Sequence, residues 1–121
     1  MIRFRRDGLR ALEITGTGAE LGLLAEDLKD IADGLGEWCA VTGEESTGFL
    51  KTIIFRTTKR AASLEPAGDA MVECRLPPPV LQRLLAEVQV QSGMTRANEE
   101  PVVVRGDELE IRVLCTGEAA V

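Results

Sequence analysis

Residues 11–36 read ALEITGTGAELGLLAEDLKDIADGLG, a strand, a turn, a helix and a stop in one continuous run. Leu12 and Ile14 alternate with Glu13 and Thr15, the period of a half-buried strand, and Gly16 ends it. Thr17 followed three residues later by Glu20 has the spacing at which an N-cap hydroxyl and an N3 carboxylate satisfy each other's backbone donors, so a helix starts there. Leu21, Leu24, Leu28, Ile31 and Leu35 recur at intervals of three and four, which lines them along one helical stripe with Ala25 and Ala32 beside it. Gly34 and Gly36 supply the stop. Gly16-Thr17-Gly18 is therefore read as a turn and cap. The next glycine, Gly22, comes one position too late for a dinucleotide fingerprint, and Glu20 in the first turn would repel a phosphate.

Upstream, Ile2 and Phe4 alternate with Arg3 and Arg5 ahead of Asp7-Gly8, which predicts a hairpin whose second arm runs over 9–15. Downstream, a short strand is expected over 37–41, a loop over 43–48, and a central strand over 49–58 carrying Ile53, Ile54 and Phe55. Residues 59–69 read as a connection. Met71 to Leu76 alternates again, and Pro77-Pro78-Pro79 leads into a second helix that buries Val80, Leu81, Leu84, Leu85 and Val88 and ends at Ser92-Gly93. Strands over 102–105 and 108–115 flank Gly106-Asp107, so the chain closes as it opens, on a hairpin. The fold class is α+β. One antiparallel or mixed sheet of about six or seven strands is expected, with both helices packed on one face, in a single domain spanning residues 1–121. The two halves share a layout without a sequence repeat.

Composition bounds the function. No stretch approaches the roughly 20 apolar residues of a membrane span, and no apolar h-region follows the charges of Met1-Ile2-Arg3-Phe4-Arg5-Arg6, so a cytoplasmic protein without a secretory signal or a membrane partner is expected. The net charge of −6 argues against a phosphate-tracking nucleic-acid binder. There is no histidine, which removes Ser-His-Asp and Cys-His catalysis and His-ligated metal sites. Cys39, Cys74 and Cys115 form no CxxC and leave an odd thiol, as in a reducing compartment; Cys74 and Cys115 fall on inward strand positions. The pairs Glu44-Glu45 and Glu99-Glu100 lie in loops with nothing apolar to raise a pKa. These features predict a non-catalytic protein with no cofactor and no metal.

The acidic residues are concentrated on the first helix. Glu26, Asp30, Asp33 and Glu37 are spaced four, three and four apart, which stacks them opposite the leucine stripe. Between Gly18 and Glu45 eight acidic residues face the single Lys29, a net −7 that exceeds the charge of the whole chain. A solvated face is the commonest meaning of such a ridge; a docking surface for a basic protein partner is the functional one. Arg3, Arg5, Arg6, Arg10, Lys51, Arg56, Lys59 and Arg60 balance charge on the sheet's outer face or bind an anion.

The run Leu12-Glu13-Ile14-Thr15-Gly16, then Leu21, Leu24-Ala25, Leu28 and Ile31-Ala32, resembles the opening of small bacterial immunity proteins that accompany polymorphic toxins. The similarity covers about the first third of the chain. It implies a protein that neutralises a toxin by direct binding, with Glu26, Asp30, Asp33 and Glu37 as the contact. The alternative reading of the residues is a small-molecule or enzymatic pocket between sheet and helices near Trp38, Cys39, Lys51 and Arg56, and either is compatible with a homodimer built on open edge strands.

Overall fold

A computed structural model describes residues 2–44, 48–93, 97 and 100–117. Eight strands and two helices follow in the order β1 (Arg3–Asp7), β2 (Ala11–Gly16), α1 (Gly18–Ala32), β3 (Trp38–Thr42), β4 (Thr52–Thr57), β5 (Ser63–Gly68), β6 (Met71–Leu76), α2 (Pro78–Ser92), β7 (Val102–Gly106) and β8 (Leu109–Cys115). The α+β class holds, but the strands form two four-stranded mixed sheets, β1-β2-β8-β7 and β3-β4-β6-β5, in place of the expected single sheet. One strand, β5, is additional to those expected. Residues 63–68 fall within the stretch 59–69 read as a connection, yet they pair antiparallel with β6 through a register shift between Pro66 and Gly68. Proline is admissible there because β5 is an edge strand.

The arrangement is an intertwined duplication. Each half of the chain runs strand, strand, helix, strand, strand, and each half gives its first two strands to one sheet and its last two to the other. In the first sheet β2 pairs parallel with β8, Leu12 opposite Ile111; in the second β6 pairs parallel with β4, Val72 opposite Ile53. A shift of sixty residues superimposes Phe4 on Leu64, Leu12 on Val72, Leu24 on Leu84 and Leu28 on Val88, all of them buried. Each half pairs its strands two by two, and the parallel ladders β2–β8 and β4–β6 join one half to the other in both sheets, so the two halves share one core. Phe4 of the first sheet meets Phe55 of the second edge-on, ring centroids 6.3 Å apart.

The helices pack against each other, with Gly22 of α1 lying beside Ser92 of α2, and they cover the inner faces of both sheets. Leu21, Leu24, Leu28 and Ile31 supply the buried stripe as their spacing predicts. Leu35 does not. The helix ends at Ala32, Gly34 turns away with φ +79°, and Leu35 is left 77% exposed.

One core position breaks the duplication in chemistry. Gln91 stands where α1 has Ile31, is 1% exposed, and its Oε1 has no hydrogen-bond partner among the described residues. A buried acceptor left unpaired costs about 1–3 kcal/mol. Gln91→Leu is therefore expected to raise the urea midpoint with the m-value unchanged; a lower midpoint would mean that the amide is satisfied in solution.

Candidate docking surface

The cap of α1 forms as its spacing predicts: Thr17 Oγ1 accepts from the Glu20 amide at 3.2 Å, and the Thr17 amide donates to Glu20 Oε1 at 2.9 Å. This fixes the helix start, and hence which side chains it turns outward. Glu26 and Asp30 lie on the exposed helical face, Asp33 is the C-cap residue, and Glu37 falls beyond the helix on the connection into β3. The four acids are all exposed, but they do not form the continuous helical stack that their spacing suggested. Gly34 ends the helix before Glu37 can join it.

Among the described residues none of these four carboxylates has a cation within 4.0 Å, and the same is true of Asp27. The contrast with the sheets is sharp. On their outer faces Glu73 is held by Arg56 and Arg75, Glu65 lies 3.3 Å from Arg75, and Glu110 lies 2.6 Å from Arg112 through its other oxygen and 3.2 Å from Arg105. Arg3 faces Glu44 at 3.5 Å and stacks over Phe49, while Arg10 faces Glu108 at 3.7 Å. For Arg3, Arg10 and Arg56 the charge-balance reading is therefore the one the geometry favours.

Beside the acids lies a cleft between α1 and β3, about 310 Å³, lined by Leu23, Leu24 and Asp27 from the helix and by Ala40, Val41 and Thr42 from the strand, with Ile2 and Glu20 at its end. Leu23 is 65% exposed on its rim. The local field is negative. Burial and then the Asp30 and Glu26 charges push the Asp27 carboxyl up, and burial together with Asp27 pushes the Cys39 thiol up to about 11. Burial raises Cys74 further. Neither of these two cysteines is an ionised nucleophile near neutral pH.

The strand side of the cleft is an open edge. In the β3–β4 ladder Glu37 O accepts from Thr57 N at 3.0 Å and Gly43 N donates to Lys51 O at 2.8 Å, so the bonded positions are the odd-numbered ones. The peptide groups of Trp38, Ala40 and Thr42 consequently point away from β4, and no other strand pairs with them among the described residues. The β1 edge, by comparison, is laced to the connection after β3 by Glu44 N to Ile2 O and Leu50 N to Phe4 O, both 2.8 Å. Ala62 beside β5 is tied to the Asp107 carboxylate at 2.8 Å.

The pocket expected near Trp38, Cys39, Lys51 and Arg56 is not built in that form. Trp38 and Arg56 are cross-strand partners on the outer face, while Cys39 alternates to the inner one. Among the described residues no group of three or more acids and cysteines is gathered to hold a metal ion, and no helix is long and apolar enough to cross a membrane. Compared with known proteins, the chain matches no family model, no curated protein and no solved structure.

Glu73 and Glu110 respond to pH in the opposite sense to Asp27. Hydrogen bonds from Arg75 and then Arg56 hold Glu73 below the usual carboxylate range, and Arg112 with Arg105 does the same for Glu110. A depressed folded-state pKa contributes stability that is present above the unfolded value of 4.5 and lost as pH falls through the folded one. Asp27, raised above 3.8, contributes the reverse, a penalty that sets in as pH rises through its folded pKa. Melting temperature is accordingly expected to drop on acidification below about 4.5, and to drop less in Glu73→Gln. An unchanged acid limb in that variant would show the outer-face pairs to be inert.

Proposed function

We propose that this chain is a non-catalytic binding protein that docks a basic protein surface through Glu26, Asp30, Asp33 and Glu37, in the manner of the small bacterial immunity proteins that neutralise toxins by direct binding. Its working compartment on this reading is the cytoplasm. One observation carries the proposal: these carboxylates are exposed and without a cation within 4.0 Å among the described residues, whereas Glu65, Glu73 and Glu110 on the sheet faces are matched with arginines. An acidic surface left unmatched keeps a field available for a partner of opposite sign.

The test is affinity capture at low ionic strength with the wild-type chain and with the variant Glu26→Gln, Asp30→Asn, Asp33→Asn, Glu37→Gln side by side. A basic protein retained by the wild type, eluted by salt and absent from the variant supports the reading. Equal recovery by both overturns it.

A further inference from the structure

The β3 edge and the cleft beside it do more than carry charge. Three alternate residues, Trp38, Ala40 and Thr42, offer a row of peptide donors and acceptors with no strand on them among the described residues. The strand itself, WCAVT, holds none of the lysines, prolines or bulges by which edge strands are blunted. The opposite edge of the same sheet, β5, has both Pro66 and a register shift. Along the open side of β3 runs the cleft, apolar at Leu23, Leu24 and Val41 and acidic at Asp27, with Glu26 and Asp30 beyond on the exposed helix face.

From this we infer that β3 receives an extended, cation-bearing segment of a partner protein as a fifth strand, with alternate side chains of that segment entering the α1–β3 cleft. The inference rests on the proposed function and specifies how the partner binds. Strand addition supplies main-chain hydrogen bonds as affinity, and the alternation of an added strand divides its side chains between two environments. Those facing α1 would lay an aliphatic stem along Leu23 and carry an ammonium or guanidinium to Asp27, Glu26 and Asp30, a fit that Lys and Arg make and shorter residues do not. Those facing the other way would meet Trp38, which is 55% exposed on the outer face.

The duplication provides an internal comparison. The equivalent cleft between α2 and β7, about 180 Å³, is lined by Arg83, Ala86, Glu87, Val103, Val104 and Arg105. Arg83 stands sixty residues beyond Leu23, and Arg105 lies in the β7 position that corresponds to Thr42 in β3. The same architecture is thus acidic and apolar on one side and carries two cations on the other, so a basic segment is matched to the β3 side alone.

Trp38 is the single tryptophan, so its fluorescence reports on the edge directly. The probe is a short peptide alternating Lys and Val, titrated at low salt against the wild-type chain. A second peptide of the same sequence is N-methylated at alternate amides, which keeps its charge and removes donors along one side. Binding of the first, with a Trp38 spectral shift, and an affinity for the second about tenfold lower or worse is the expected result. The variant Ala40→Pro should also lose the first peptide, since the Ala40 amide points outward and its loss leaves the β3–β4 ladder intact. Equal binding of both peptides, with loss only in the quadruple amide variant, overturns strand addition while leaving the acidic docking reading in place. No binding of either peptide overturns strand addition as well. Self-association of the chain that neither peptide displaces would assign the β3 edge to a second copy, and would likewise overturn it.

Discussion

Leu28→Ala is expected to lower the unfolding free energy by about 2–5 kcal/mol, a large share of the total for a domain of this size. Leu28 is fully buried on the α1 stripe, in the layer where the two helices meet each other and the inner faces of both sheets. Because each half of the chain lends strands to the other's sheet, neither half can collapse independently around the cavity that the truncation leaves. Unfolding should therefore remain a single transition, and Val88→Ala at the equivalent place in α2 should behave alike, with a smaller cost in proportion to the smaller side chain. Urea denaturation followed by far-ultraviolet circular dichroism checks both. Two separate transitions would contradict the shared core.

The quadruple amide variant of Glu26, Asp30, Asp33 and Glu37 should do the opposite, holding or slightly raising stability while affinity for a basic partner falls. Removing the like charges of Glu26 and Asp30, spaced four apart on the exposed helix, relieves a few tenths of a kcal/mol, and all four side chains are outside the core. Each exposed charge contact with a partner is worth about 0.2–1 kcal/mol, so losing four weakens Kd by roughly fourfold to a thousandfold. Of these substitutions only Asp30→Asn touches the field that raises the Cys39 thiol, while the larger causes, burial and Asp27, remain. That thiol should stay unreactive to alkylation near neutral pH, which serves as a check that the variant's surface is otherwise unaltered.

What could be read in the chain and what could not divide along physical lines. The β2–α1 unit was legible because its signals are local: Thr17 and Glu20 are three apart, and the leucines repeat at the helical period. Inner and outer faces of β6 and β8 followed from alternation in the same way. Strand partnership did not, since pairing β2 with β8 and β4 with β6 joins residues far apart in sequence, and alternation says which face is buried but not which neighbour lies alongside. The duplication was hidden for a related reason. At a sixty-residue shift the two halves agree in burial but in few identities, as when Phe4 answers Leu64 and Ile31 answers Gln91. Leu35 was misplaced because a heptad-like spacing runs on past Gly34, where the backbone actually leaves the helix. The acids of the candidate surface were visible by composition. The cleft and the open β3 edge beside them were not, because an edge exists only once the order of strands is known.

On the proposed function the acidic surface of α1 serves a partner and is not merely a solvated face. The most direct measurement is a calorimetric titration of the captured basic partner into the wild-type chain and into the quadruple amide variant, with thermal melts of both proteins in the same buffer. The variant is expected to show an equal or higher melting temperature, an affinity at least about fourfold weaker, and a shallower dependence of affinity on salt. Unchanged affinity in a variant that remains folded would contradict it.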